Sequence, residues 1–388
     1  MRPTPCIPAN RRQVVLALLG TALLPACGGG TDVAGVSSGG TGSYTSGVIV
    51  GLGSVIVNGI RYDDSAASVN FDGSASTAAA LQLGMVVRIQ GSALTPATVA
   101  GGLATATASS IACGSEWKGP VADIDTTAGT FTLLGQKVRV LATTVIEGTT
   151  FSTALNGLYV EVYGLLDPSD GSLQASRIEL DDSPPDSLRL SGLVSGLTAT
   201  TFQLGSATIL YSSATEVPTT LANGLLVRVD LEPTANGSGQ WIATRVRADA
   251  AAIELEDDDE ADLEGFVTAL TATGFVLNGI PVDASHIGLP TGLVEGDRVE
   301  VQGSALNGTV IASEIDIKTD DEVESQAFEF HGAISELTAS SFVVRGYPIR
   351  YDTSFGIALT NGLLVEVKAE LQLNGDLLAT EIEIETEN

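Results

Sequence analysis

Residues able to do chemistry are few in this chain and lie far apart: two histidines, three cysteines and two tryptophans among 388 residues. His286 sits in the loop Asp283-Ala284-Ser285-His286, which holds the residue types of a hydrolytic triad. A triad works because its members converge from separate elements, and neighbours in one loop rarely do so. His286 therefore reads as a surface loop histidine. His331 precedes Gly332 where related segments carry Lys118, Ser191 and Glu264, a variation expected of an exposed strand position. Transition-metal sites draw on several His or Cys ligands, more than this chain supplies. No catalytic residue, metal ligand or cofactor is assigned, and the chain is not expected to be an enzyme.

The tryptophans and the acidic runs are the remaining candidates. Trp241 stands two residues before Ala243, at the place held elsewhere by Leu173, Val310 and Leu377, and reads as a core residue. Trp117, beside Lys118 and near Cys113, reads as packing at a junction. An aromatic content of 5% is low for a carbohydrate-binding platform. Residues 254–260 (Glu-Leu-Glu-Asp-Asp-Asp-Glu) offer carboxylates to calcium, a hard cation, but lack an Asp-x-Asp-x-Asn-Gly loop to set the ligand geometry. Like charges repel and extend, so this stretch reads as a solvated spacer. Cys113 reads as a small buried hydrophobe.

Charge and the N-terminus say where the protein works. With 18 basic against 47 acidic residues the formal charge is −29, which argues against nucleic acid, whose binders displace counterions with a basic surface. Arg11 and Arg12 precede an apolar run, 14–24, too short to span a bilayer. Residues 1–26 therefore read as a cleaved signal peptide. Leu24-Pro25-Ala26-Cys27 resembles the lipobox of bacterial lipoproteins, with Pro25 in place of the usual small or β-branched residue. That resemblance implies acylation of Cys27, and Gly28 after it implies the outer membrane of a Gram-negative bacterium. Residues 27–46, rich in Gly, Ser and Thr, read as a flexible tether.

The rest of the chain is repetitive. An Ala-x-x-Ile/Val motif recurs at Ala108, Ala175, Ala243, Ala312 and Ala379, spaced by 67, 68, 69 and 67 residues. A glycine opens a Val-x-Val strand at Gly84, Gly157, Gly224, Gly296 and Gly362. In Asp297-Arg298-Val299-Glu300-Val301-Gln302 apolar and polar residues alternate with period two, the mark of a half-buried strand. Asn58-Gly59 and Asn278-Gly279 supply the two positive φ angles of a type I′ hairpin. Asn307-Gly308 and Asn374-Gly375 announce a second hairpin in their units.

These features predict an all-β protein of about five small repeats of five or six strands. A unit this small must hide its apolar face and strand edges by closing or stacking. The expected form is a small closed barrel, similar in outline to the oligonucleotide- and oligosaccharide-binding (OB) fold; a continuous β-solenoid is the alternative. The predicted units are 47–113, 116–182, 187–249, 263–320 and 326–388, with 250–262 an acidic linker; the polar linkers suit separate beads. Taken together, Gly-x-Val, Phe-x-Leu-Asn-Gly, Gly-x-x-Val-x-Val-x-Gly and Ala-x-x-Ile resemble the bacterial domain of unknown function 5666 family. That resemblance implies lipoproteins and secreted proteins and transfers no functional residue. Residues 65–80 read as an insertion in the first unit. The expected function is a non-enzymatic, lipid-anchored envelope protein whose barrels act as spacers or binding modules toward a protein or polysaccharide partner. The alternative is an envelope enzyme with a site assembled between repeats.

Overall fold

In a computed structural model, residues 42–99, 102–181, 183–248, 255–324, 327–352 and 355–385 are described. The signal segment, Cys27 and the tether as far as residue 41 lie outside them.

Period-two alternation and tight left-handed turns build the same unit five times, the turn being Asn-Gly in the first and fourth units, Leu134-Gly135 in the second and Arg345-Gly346 in the fifth. In the fourth unit, Glu260–Thr268, Gly274–Leu277, Ile280–Asp283, Arg298–Leu306 and Thr309–Ile317 are the five strands. The first pairs antiparallel with the second, and the second with the third. The third pairs parallel with the fifth, the fifth antiparallel with the fourth, and the fourth antiparallel with the first, closing the ring. This strand order, 1-2-3-5-4-1, is that of the OB barrel, and the other units repeat it. They are barrel 1 (42–113), barrel 2 (117–181), barrel 3 (188–248) and barrel 5 (328–384), with barrel 4 at 260–317. Closure removes most strand edges, so the continuous solenoid is not formed.

The turns are those the sequence announces. Asn58 and Gly59 have φ of 48° and 71°, Asn278 and Gly279 of 51° and 84°, the two left-handed residues of a type I′ turn. Asn58 Nδ2 donates to the Ser46 carbonyl and Asn278 Nδ2 to that of Glu264. The Gly-x-Val motif follows from this: a Cβ on Gly47 or Gly265 would lie 2.2 or 2.5 Å from the asparagine Oδ1. Asn307-Gly308 makes the same turn in the second hairpin of barrel 4, whereas Asn374 stays out of the left-handed region and Gly375 alone enters it.

The barrels are not separate beads. Gly42–Val48, the first strand of barrel 1, pairs parallel through Ser43–Ser46 with residues 260–263 of barrel 4. Gly51–Leu52 continues parallel to Phe328–Ala333 of barrel 5, and Arg189 of barrel 3 bridges Lys118 of barrel 2. The physical reason is that the first strand of such a barrel gives only part of its length to each neighbour. The half left over carries unpaired amides and carbonyls, which a second barrel satisfies. Apolar cores follow the same grouping: barrels 1 and 5 share one cluster, barrels 2 and 3 another, and barrel 4 holds a third with Tyr44.

Two predicted boundaries move as a result. Residues 42–46, read as tether, are a buried strand, because small Ser, Thr and Gly side chains fit between two barrels. The acidic stretch 250–262 is not a solvated spacer at its C-terminal end. Glu260, Ala261 and Asp262 belong to the first strand of barrel 4, and Asp259, Glu260 and Asp262 are buried. Asp257 Oδ1 accepts from the Asn307 amide at 2.5 Å and Asp259 Oδ2 from Gln90 Nε2 at 2.5 Å. Backbone and amide donors from barrels 1 and 4 thus hold carboxylates that mutual repulsion would otherwise spread.

Candidate functional site

A chamber of about 620 Å³ opens where barrels 1 to 4 meet. Barrel 1 contributes Tyr44 and Arg88, barrel 2 Leu166 and Pro168, and barrel 3 Leu193 and Leu226. Barrel 4 adds Phe266, Val276 and Ile280. These side chains stand on barrel exteriors, where alternation usually puts polar groups. Leu193 shows the departure: in Leu188–Ser195, Leu190 and Val194 turn into the barrel while Leu193 faces out and stays exposed. Two polar side chains of the wall are already engaged with main chain, Thr268 Oγ1 donating to the Val276 carbonyl at 2.8 Å and Asn278 Nδ2 to that of Glu264 at 2.7 Å. What the chamber offers a guest is mainly aliphatic contact, and its volume lies within the roughly 300–1,000 Å³ typical of small-molecule sites.

A second constellation lies between barrels 1 and 5. His331, which the sequence placed on an exposed strand position, is 6% exposed. Its Nδ1 is 2.6 Å from Glu385 Oε1, and its Nε2 is 2.6 Å from Glu329 Oε1. Arg61 Nη2 reaches both Glu329 Oε1 and His331 Nε2 at 2.7 Å. Burial opposes charge on the imidazole, but the hydrogen bonds to Glu329 and Glu385 outweigh it and raise its pKa above the ordinary value. Burial likewise works against the Glu329 carboxylate, while its bonds to His331 and Arg61 lower its pKa. Glu329, His331 and Glu366 bring possible ligand atoms within 4.8 Å of one another. Arg61 already supplies positive charge among them, and both ring nitrogens of His331 already have partners, Glu385 at Nδ1 and Glu329 and Arg61 at Nε2. The cluster is an ionic joint between barrels.

The sequence candidates fall apart in space. His286 is exposed, and the Asp283 carboxylate is taken by the Ser285 amide at 2.8 Å. Trp117, 1% exposed, donates its Nε1 to the Ser191 carbonyl at 2.9 Å, across the junction of barrels 2 and 3. Trp241 is only half-buried at the edge of that core. Cys113 is buried, and burial pushes its thiol pKa up, which keeps it an unreactive thiol. The chamber was missed because its aliphatic wall belongs to no motif, and the motif residues that line it, Gly224, Asn278 and Gly279, signal a strand and a turn rather than a site. The signal that could have found it is a leucine such as Leu193 at an outward strand position.

The insertion in barrel 1 also acquires a place. Ser68–Phe71 and Ser74–Ser76 form a hairpin whose tip residue, Asp72, accepts from Arg189 Nη1 at 2.6 Å and from Arg228 Nη1 at 3.0 Å, both in barrel 3.

Fold and joints together define a class: a chain of OB-like barrels fused through strand edges and ion pairs. Domain of unknown function DUF5666 matches residues 118–179, 191–247, 264–316 and 331–383, which are barrels 2 to 5. The chain belongs to that family. No curated protein matches it.

Proposed function

We propose that this chain is a non-enzymatic, lipid-anchored protein of the cell envelope. Acylated Cys27 holds it to the outer membrane of a Gram-negative bacterium, and its fused barrels form one body that carries a small, largely apolar ligand. The observation that carries the binding role is the chamber: four barrels place outward aliphatic side chains around one space, at a cost in exposed apolar surface that folding alone does not require. The anchor is supported by the basic, apolar and cysteine-ending pattern of residues 1–27. A protein or polysaccharide partner would meet the outer faces of the barrels.

Two measurements test this. Mass spectrometry of the N-terminal peptide should find acyl groups on Cys27, and a Cys27→Ala chain should leave the membrane fraction; retention of that variant would overturn the anchor. Native mass spectrometry of the purified chain should show a bound small molecule that denaturation releases. The enzyme alternative retains one observation, the His331 cluster between repeats. Turnover of an envelope substrate abolished by His331→Gln in a folded chain would establish that alternative.

A further inference from the structure

We infer that the open edge of barrel 4 takes up, as an added strand, an extended segment of another protein in which apolar and basic residues alternate. This names the protein partner of the outer faces, and rests on that part of the proposed function rather than on the chamber or the anchor. The fifth strand of barrel 4, Thr309–Ile317, is paired along one side with the fourth strand. On its other side only Val310 and Ile311 are paired, with Val282 and Asp283 of the third strand. The Lys318 amide donates to the Arg298 carbonyl at 2.8 Å, and this sets the alternation. Main-chain groups of Glu314 and Asp316 point toward the fourth strand, and those of Ile315 and Ile317 point away from it. Among the described residues no hydrogen bond reaches these outward groups.

Barrels 1 to 3 cover the same place. In barrel 1 the inserted strand Ser68–Phe71 runs parallel to residues 110–113. In barrel 2 the third strand extends to pair Val145 and Ile146 with Arg177 and Ile178, and in barrel 3 the Val246 amide donates to the Glu216 carbonyl at 2.8 Å. Under that cover Ile111, Ile178 and Val246 are at most 1% exposed. Ile315, their counterpart in barrel 4, is only half-buried, as is Ile317. The segment placed to cover them, 284–297, instead turns on itself, the Ile287 and Gly288 amides donating to the Ala284 carbonyl, and returns to the Val267 carbonyl through the Gly296 amide. A row of free amides and carbonyls is satisfied by another main chain, and the half-buried isoleucines by that chain's apolar side chains. Charge selects the rest. Glu314 and Asp316 alternate with the isoleucines, and the basic residues beside them are taken, Lys318 by Glu300 and Arg298 by Glu264, both at 2.7 Å. Basic side chains on an added strand would pair across with the two acids. A second copy of this chain would set the same acids against its own, and residues 28–41 carry no basic residue.

The test uses the full chain carrying Cys27→Ala, which keeps it in solution, and a short fluorescent peptide alternating lysine and valine. Saturable binding is expected, at least ~tenfold tighter than for the same peptide with glutamate in place of lysine. It should also be at least ~tenfold tighter than for a peptide with its lysines and valines in separate blocks, which cannot present one apolar and one basic face. Equal affinity for the glutamate peptide would overturn the charge assignment; equal affinity for the blocked one, or no binding, would overturn the added strand. Glu314→Lys combined with Asp316→Lys should turn the preference toward the glutamate peptide, and a folded double variant that keeps the original preference would place the peptide elsewhere. Amide hydrogen exchange reads the edge itself. The Ile315 and Ile317 amides should exchange fast in the free chain and slow down with peptide, whereas the Val246 amide, already bonded to Glu216, should be slow in both. Peptide binding without protection at Ile315 and Ile317 would take the partner off this edge. Protection present before peptide is added would show that the protein fills the edge itself, through a second copy if dilution removes it and through its own chain if not; either overturns the outside partner. None of these results bears on the chamber, whose ligand native mass spectrometry reads separately, so failure here leaves the ligand-carrying role intact.

Discussion

Two of the joints that hold barrel 1 to its neighbours are ionic, and they are made of different charged groups. At the Asp72 joint with barrel 3, one carboxylate meets two arginines. Arg228, 3% exposed, also donates to Glu116 Oε1 at 2.9 Å, and Arg189 also donates to Asp230 Oδ1 at 3.2 Å and Ser115 Oγ at 2.9 Å. At the His331 joint with barrel 5, one arginine and one imidazole meet Glu329, Glu366 and Glu385. The first contains no group that ordinarily titrates near neutrality; the second is centred on one that does. Permanent charge fixes a joint across the working pH range, whereas a histidine makes its strength depend on the medium.

The largest expected effect comes from breaking the first joint. Asp72→Ala leaves Arg228 buried with one carboxylate partner fewer, and removing one member of a buried pair costs about 3 kcal/mol. Chemical unfolding should show that loss with no pH dependence between pH 6 and 8. A loss the size of a surface pair would mean that water replaces the carboxylate. Arg61→Ala should come next, at about 2 kcal/mol, since it removes charge-assisted hydrogen bonds from a half-buried place. Its effect on thermal stability should shrink when His331→Gln is already present, because the two share Glu329.

The third prediction concerns pH. The folded pKa of His331 is raised above the ordinary value of 6.5, so its contribution is complete below that value and is lost as pH rises through the folded pKa. Glu329 is lowered from 4.5, so its contribution is present above that value and fades as pH falls through the folded pKa. The joint is strongest between the two. Charges facing His331 are Arg61 from barrel 1, with Glu329, Glu366 and Glu385 from three segments of barrel 5. Stability measured upward from pH 6 should fall in the native chain and stay flat in His331→Gln; parallel slopes would remove the histidine from the account. Smallest is Lys137→Ala. It breaks the pair with Asp170, whose partners are 47% and 39% exposed, and should change stability by no more than about 0.5 kcal/mol.

How far the sequence could be read follows from where each signal lives. Asn58-Gly59 and Asn278-Gly279 announced their turns because positive φ is a local demand, met within two residues. Val299 and Val301 announced a strand because the pleat turns every second side chain the same way. The repeat of Ala-x-x-Ile announced five units because each closes its own ring. His331 was misread because its strand position is outward in the barrel, and outward positions are exposed only if no second barrel covers them. Asp259, Glu260 and Asp262 were misread for the same reason: a run of acids looks like solvated chain until another body supplies donors.

The sequence by itself therefore determined most of the strands and turns, the number of barrels and the family that four of them match, all of which rest on interactions within about seventy residues of chain. The tertiary structure alone decided which barrels meet. Asp72 finds Arg189 across 117 positions and Arg61 finds Glu329 across 268, and the wall of the chamber comes from four barrels. Such contacts have no period and no motif. They depend on how closed, rigid barrels satisfy the half-strands and charges left on their outer faces.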